Sequence, residues 1–121
     1  MTINFTKGIF DANYVPTVID VYKGSHNING NKVEVNIIDT SGDELMGDNR
    51  ETVYGGADCF MLCTAVDNRD SLEFVTNFRT EIRNISKAPI LLVGTKTDIR
   101  DENSDCISTE ELNQKRDELK F

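Results

Sequence analysis

An apolar run that passes directly into a polar loop, at residues 88–98, limits what this chain can fold into. The run at residues 90–94 has no polar residue in alternate positions. This is typical of a central strand in a parallel sheet that helices cover on both faces. The run stops abruptly at residues 95–98, Thr-Lys-Thr-Asp. In open α/β sheets, ligands bind outside the carboxyl ends of the strands, so this loop is placed to contact a ligand.

The residue types of this loop suit one nucleic acid base. Guanine presents two adjacent donors, its ring N–H and its exocyclic amine, and a single carboxylate accepts both. Adenine has an acceptor where guanine has the ring donor. The Asp98 carboxylate would therefore accept two hydrogen bonds from guanine, whereas the lone pair of adenine would repel it. The apolar stem of Lys96 would lie along the base, and Thr95 would brace the loop. Taken alone, these four residues favour the alternative of an ordinary charged loop.

Length and charge limit the class of protein. The chain has 121 residues and a formal net charge of −8, which predicts one domain whose core buries about two-thirds of the unfolded surface. This acidic balance, without a basic cluster, argues against a nucleic acid polymer or an anionic membrane surface as a partner. The chain has an odd number of cysteines, Cys59, Cys63 and Cys106, which predicts reduced intracellular thiols rather than disulfides. The first two are expected to pack inside a buried strand. Because His26 is the only histidine in the sequence, no zinc-type cluster is expected.

The N-terminal patterns predict a helix end and a hairpin. Residues 1–8 are interpreted as the tail of a helix with Gly8 as its C-cap. Strands are predicted at residues 18–22 and 32–39, with Asn29 and Gly30 forming the turn between them. Such an antiparallel hairpin usually lies at the edge of a sheet.

The following segments alternate between strand and helix. Residues 43–56 are polar and broken by glycines, which predicts an irregular segment. Residues 58–66 predict a buried strand, and apolar residues at helical spacing predict a helix over 70–86, with Asp70 and Glu73 as a capping box.

The last helix is predicted to begin at Ser108, because Glu111 three residues later completes a capping box and Ile107 and Leu112 stand at the staple positions. Together with the strand at residues 90–94, this order predicts right-handed crossovers and a parallel sheet.

Three motifs stand in order along the chain: Phe10 with Tyr14-Val15-Pro16-Thr17-Val18, Asp39-Thr40-Ser41-Gly42, and Val93-Gly94-Thr95-Lys96-Thr97-Asp98. They resemble switch I, the D-x-x-G motif and the guanine-binding motif of the small GTPases of the Ras superfamily, nearest the Rho branch. The resemblance covers nearly every residue. It implies an α/β fold, namely an incomplete P-loop NTPase (Ras-like) sheet with helices on both faces that lacks its first and last strands. A flavodoxin-like domain for another ligand explains the alternation of elements but not the motifs.

The resemblance implies that GTP or GDP and Mg2+ are the ligands. Thr17 would bind the ion and meet the γ-phosphate, Asp39 would hold the ion through a water, and Gly42 would donate its backbone N–H to the γ-phosphate. Loss of the γ-phosphate would release the switch I loop and the loop that begins at the D-x-x-G motif, and this release is the switch. The alternatives are that Thr17 only begins a strand and that Asp39 only caps one.

The resemblance also implies that Phe10 packs against the guanine and that Thr95, Lys96 and Asp98 recognise it. For Phe10, a place in the core is about equally expected.

The chain departs from the family pattern in two places that bear on catalysis. The P-loop pattern G-x-x-x-x-G-K-[ST] does not occur in it, and that motif supplies most of the phosphate affinity, so weak or absent nucleotide binding is expected of this chain alone. Asp43 stands where the family usually has the glutamine that orients the attacking water. Its carboxylate would repel the γ-phosphate, so GTP hydrolysis is expected to be slow.

The expected protein is therefore a truncated GTPase domain over residues 1–121, cytoplasmic, without a membrane anchor in this chain unless a missing C-terminal tail is lipidated. Two functions stay open. The first is a signalling switch whose protein effectors and regulators contact residues 14–18 and 39–56. The second is a pseudo-GTPase interaction module that binds partners through the switch I surface without nucleotide turnover.

Overall fold

The computed structural model describes residues 1–9, 19–40, 50–100 and 105–121. The chain forms two compact units, Met1–Asn49 and Arg50–Phe121. Four of the residues with an expected role in the site, Phe10, Thr17, Gly42 and Asp43, lie outside the described ranges, as do Ser41 and residues 14–18.

The N-terminal unit contains a short helix that packs on a long hairpin. Helix α1 (Thr2–Lys7) ends at Gly8, which adopts the left-handed conformation with φ of 68° and donates its N–H to the Asn4 carbonyl. The predicted helix end and its glycine cap are confirmed. The Phe5 ring of this helix stacks on the His26 imidazole, with 4.1 Å between the ring centroids.

The hairpin joins strand β1 (Ile19–Ile28) to strand β2 (Asn31–Thr40), with Ile28 opposite Asn31. Asn29 and Gly30 have φ values of 51° and 82°. Positive φ at both central residues is the geometry that matches the twist of paired strands, so the predicted turn is confirmed. Both strands are longer than predicted, because the two-residue turn fixes the register and backbone pairing then continues through the polar residues near it.

The C-terminal unit contains a parallel pair of strands. Strand β3 (Phe60–Ala65) pairs with strand β4 (Ile90–Thr95), with Ala65 opposite Thr95 at their carboxyl ends. Helix α3 (Arg69–Ile85) connects them, preceded by α2 (Arg50–Gly55) and followed by α4 (Thr109–Leu119). The predicted parallel pairing and both long helices are confirmed.

Helix α2 contradicts the irregular segment predicted over residues 43–56, as far as that segment is described. Its Tyr54 side chain is buried with Ile82 and Ile90, and it meets the Phe60 ring edge-on at 5.8 Å between centroids. Burial of this aromatic side chain stabilises the helix despite the glycines around it.

Helix α3 begins differently from the prediction. Its N-cap is Asn68, whose side chain accepts a hydrogen bond from the Ser71 N–H at 3.3 Å. The capping box of Asp70 and Glu73 is therefore wrong. Asparagine is among the strongest N-cap residues, and it lies two positions before the aspartate.

The start of α4 follows the prediction closely. Ser108 and Glu111 form the reciprocal capping box, with the Ser108 N–H donating to Glu111 Oε2 at 2.9 Å. Ile107 is fully buried and Leu112 packs into the same cluster, together with Val66. This contact fixes the angle at which the chain enters the helix.

The strands β3 and β4 are less buried than predicted. Met61 and Leu91, which are register partners, are 55% and 57% exposed. Cys59 and Cys63 are exposed, whereas Cys106 is buried. The prediction of core thiols is therefore wrong for the first two cysteines, because neighbouring residues of a strand point to opposite faces and an apolar run alone does not show which face is covered.

Gly94 is expected to be required by packing. A Cβ there would lie 2.7 Å from Leu112 Cδ1 and 3.4 Å from Val66 Cγ1. Gly94→Ala should therefore lower the free energy of unfolding by about 1–3 kcal/mol, measured by urea unfolding and far-UV circular dichroism.

Gly55→Ala is the matched control, because nothing lies within 4 Å of the added methyl group. It should leave stability unchanged or slightly raised. If Gly94→Ala were equally harmless, or if Leu112→Ala did not reduce its cost in the double variant, the packing explanation would be wrong.

Candidate functional site

Three segments of the C-terminal unit meet at the carboxyl ends of β3 and β4: the β3 loop (residues 66–68), the β4 loop (residues 96–100) and the start of α4. The Val66 N–H donates to the Thr95 carbonyl at 3.1 Å. The Ile107 N–H in turn donates to the Val66 carbonyl at 2.7 Å. These two bonds hold the three backbones together at the sheet edge where the sequence predicts a ligand.

Thr95 ends β4 and is half-buried. Its hydroxyl donates to the Thr64 carbonyl of the neighbouring strand at 3.1 Å. This contact braces the beginning of the β4 loop against β3. A direct contact of Thr95 with guanine stays a prediction.

Lys96 has an unusual backbone and a defined side-chain partner. Its φ of 59° lies in the left-handed region, which non-glycine residues adopt infrequently. Its Nζ lies 2.9 Å from Asp67 Oδ2 of the β3 loop. The ammonium group is therefore held across the carboxyl edge of the sheet, from one strand to the next.

Asp98 lies in a single 3-10 turn, Thr97–Ile99, and its side chain is exposed. The turn is closed by the Ile99 and Arg100 N–H groups, which donate at 3.3 Å to the carbonyls of Lys96 and Thr97. Within the described ranges the Asp98 carboxylate has no hydrogen bond and no ion pair. Its oxygens are thus available to accept from a ligand.

Sequence reasoning missed two residues that shape this site, Asp67 and Arg100. Arg100 Nε donates to the Ile107 carbonyl at 3.1 Å, and its Nη1 donates to Thr109 Oγ1 at 2.8 Å. The guanidinium thereby joins the end of the β4 loop to the start of α4. Asp67 could have been noticed, because it follows a predicted strand next to the one that carries the motif.

Arg69 and Glu111 form a second ion pair near this edge, with 2.9 Å between Nη1 and Oε1. The pKa of Glu111 is lowered, first by the hydrogen bond from the Ser108 backbone and then by the bond from Arg69. The pKa of Arg69 is raised, mainly by its hydrogen bond to Glu111. One carboxylate therefore caps α4 and joins it to the start of α3.

Asp39 belongs to the N-terminal unit, where it is half-buried near the end of β2 and opposite Asp20 of β1. The Tyr22 hydroxyl lies 3.4 Å from Asp20 Oδ2. The pKa of Tyr22 is raised by partial desolvation and then by the charges of Asp20 and Asp39. In the described part of the chain no three histidine, cysteine or acidic side chains are grouped to hold a metal ion, and the expected partner of Asp39, Thr17, lies outside it.

No helix among the described residues is both long and apolar enough to cross a membrane.

The charge on Glu111 is expected to stabilise the fold only at pH values at which the carboxylate is ionised. Its folded pKa lies below the ordinary value of 4.5, so the contribution is complete above that pH and is lost as the pH falls through the folded value. Glu111→Gln keeps a capping side chain but removes the charge. The difference in free energy of unfolding between the two proteins should therefore be largest near neutral pH and shrink on acidification, in urea titrations at a series of pH values.

In an Arg69→Met background the same difference should be smaller, because one of the two hydrogen bonds to the carboxylate is absent. A difference that grows as the pH falls would contradict the assignment.

Comparison with known proteins identifies several relatives. The Rho-related protein racM of Dictyostelium discoideum is 42% identical over 98 residues, which cover 79% of this chain and 52% of racM. The Ras-like GTP-binding protein RhoL of Drosophila melanogaster is 34% identical over 122 residues, covering 98% of this chain and 64% of RhoL. The GTP-binding protein RHO1 of Candida albicans is 36% identical over 104 residues, covering 84% of this chain and 52% of RHO1.

The chain thus spans between about half and two-thirds of the length of these Rho-related proteins. The model of the Ras family matches residues 1–121, the whole of the sequence. This match and the Rho-related sequences show that the chain belongs to the Ras family and is Rho-like.

Proposed function

We propose that this chain is the guanine-nucleotide-binding part of a small GTPase switch and that the β4 loop with Thr95 recognises the base. The observation that carries the proposal is the exposed Asp98 carboxylate beside the positioned Lys96, at the carboxyl end of a parallel strand. Two relatives that are named as GTP-binding proteins, RhoL of Drosophila melanogaster and RHO1 of Candida albicans, support it.

The loop fits guanine better than adenine on chemical grounds. A carboxylate has acceptors only, and guanine offers it two adjacent donors. Both bonds are charge-assisted, and such bonds are stronger than neutral ones. Lys96 contributes an apolar stem that can lie along the base plane while its ammonium group stays paired with Asp67. In the same proposal, Phe10 packs against the guanine, as the family resemblance implies.

We also propose that Thr17, Asp39 and Gly42 hold the phosphates and Mg2+, as the family resemblance implies. A bound Mg2+ ion supplies positive charge that offsets the negative charge of the β- and γ-phosphate oxygens. The donors assigned to it, the Thr17 hydroxyl and the Asp39 carboxylate acting through a water, are the oxygen ligands that this ion prefers. Asp39 is half-buried near the end of β2, which fits this role. Gly42 would donate its N–H to the γ-phosphate.

The proposed switch acts through the segments that meet the γ-phosphate. The loops that carry Thr17 and Gly42 would be ordered by contacts with GTP and released with GDP. Protein effectors and regulators would bind residues 14–18 and 39–56 in the ordered form. Hydrolysis would be slow, because Asp43 brings a negative charge next to the γ-phosphate and lacks the amide donor of a glutamine.

The base preference is the first test. The wild-type chain should bind labelled GDP weakly, because the P-loop pattern does not occur in it, but more tightly than ADP, in a fluorescence titration at high protein concentration. Asp98→Asn should weaken GDP binding roughly 10- to 100-fold, because it loses charge-assisted bonds. The same variant should gain affinity for the xanthine nucleotide XDP, because xanthine has a carbonyl where guanine has the exocyclic amine and the new amide can donate to it.

Asp58→Asn is the matched control, since it makes the same chemical change at an exposed carboxylate before the amino end of β3. It should bind GDP like the wild type. If the wild-type chain does not bind GDP more tightly than ADP, the proposal of a nucleotide switch is wrong. The alternative of an interaction module without nucleotide turnover is then favoured.

The hydrolysis rate is the second test. Asp43→Gln should speed single-turnover hydrolysis of bound GTP, by about tenfold or more, because it removes the like charge and restores an amide that can orient water. Asp43→Asn separates these two effects, since it removes the charge on a shorter side chain. An unchanged rate in the glutamine variant would show that Asp43 does not limit hydrolysis.

A further inference from the structure

We propose that Asp67 is a positioning residue for guanine recognition, because it holds the Lys96 side chain in place at the carboxyl edge of the sheet before the nucleotide binds. This inference rests on the proposed function of the β4 loop. It adds a residue that lies outside all three sequence motifs and that acts through Lys96 rather than on the base.

The strand register places the two side chains next to each other. Ala65 and Thr95 are partners at the carboxyl ends of β3 and β4. Lys96 follows the end of β4 directly, and Asp67 lies two residues after the end of β3. Their Nζ–Oδ2 distance of 2.9 Å shows that the lysine side chain extends from its own loop toward the neighbouring strand.

Both ends of this contact have a fixed backbone. Val66 is held by two hydrogen bonds, to Thr95 and from Ile107, and the Asn68 N–H donates to the Ala65 carbonyl at 3.1 Å, which closes a turn around Asp67. On the other side, Lys96 keeps the left-handed conformation that begins the 3-10 turn. The ion pair therefore joins two rigid points.

Positioning matters because a lysine side chain loses much rotamer freedom when it is ordered. A side chain that is ordered before binding avoids part of this entropic cost when the ligand arrives. The ammonium group bonds to Asp67 at the end of the stem, so the methylene groups stay available to the base. Loss of Asp67 should thus weaken nucleotide binding without removing any group that touches the nucleotide.

The same pair should contribute little to folding. The Lys96 side chain is 57% exposed and that of Asp67 is 28% exposed, and exposed ion pairs contribute little to stability because water and salt screen them. A change in nucleotide affinity without a change in melting temperature therefore separates positioning from a structural role.

The ion pair between Arg69 and Glu111 is a matched control. Its distance is also 2.9 Å, and its side chains are 61% and 43% exposed. Arg69 lies two residues after Asp67 and is not bonded to Lys96. Arg69→Met should therefore leave guanine binding unchanged.

The experiment is a double-mutant cycle on the whole chain, with labelled GDP as the probe and ADP as the reference. Asp67→Ala should raise the Kd for GDP about two- to fivefold, the range expected for loss of an exposed ion pair. Lys96→Met should raise it further. The double variant should bind no more weakly than Lys96→Met alone, because Asp67 then has no side chain to position.

Salt gives a second readout. The ratio of the two Kd values, Asp67→Ala to wild type, should approach one in 1 M salt, where screening acts over about 3 Å. If Asp67→Ala lowers the melting temperature, Asp67→Asn is measured instead; it keeps the size and one neutral acceptor and should give a smaller loss in the same direction.

The outcomes separate the two proposals. If the wild type prefers GDP but Asp67→Ala binds it as tightly, or more tightly, the positioning role is wrong and the proposed function stands. A cost of Asp67→Ala that persists in the Lys96→Met background also overturns it, since Asp67 would then act by another route. If the wild type shows no preference for guanine, the proposed function is wrong and the positioning role is overturned with it.

Discussion

The parallel register of β3 and β4 is the constraint on which the candidate site depends. Because Ala65 and Thr95 are partners, both strands end at the same level and their loops leave the sheet side by side. Gly94 allows Leu112 and Val66 to approach β4 closely just before that end. A shift of the register by one residue would turn every side chain of the strand to the other face. Neither the bond from Val66 to Thr95 nor the contact between Asp67 and Lys96 would then form.

A hydrogen-bonded pair of hydroxyl groups, one of them fully buried, supports the β3 side of this arrangement. Thr64 is fully buried, and its Oγ1 lies 2.7 Å from Ser71 Oγ at the start of α3. The Ser71 hydroxyl also accepts from the Ala65 N–H at 3.1 Å and lies 2.6 Å from the Asn68 carbonyl. A buried polar group without partners is costly, so these bonds favour one arrangement of residues 64–71. The position of Asp67 follows from this network.

The parts of the structure that could be predicted from the sequence are those with local causes. The turn at Asn29 and Gly30 and the capping box of Ser108 and Glu111 each depend on residues a few positions apart, and both are present. Whether Cys63 is exposed and whether α2 forms depend instead on packing against residues that are distant in the sequence. The Asp67–Lys96 pair joins residues that are 29 positions apart. No spacing rule predicts it, and it becomes visible only when the register of the two strands is known.

The charges at the carboxyl edge favour recognition of a base over binding of a phosphate there. With a net charge of −8, the chain as a whole repels an anionic ligand, so short-range contacts have to supply the affinity. The cations described at this edge already have partners: Lys96 bonds to Asp67, Arg69 to Glu111, and Arg100 to the Ile107 carbonyl and Thr109. The Asp98 carboxylate, in contrast, has no hydrogen bond or ion pair within the described ranges. An edge that offers acceptors and keeps its cations paired suits a ligand that presents N–H donors, as guanine does.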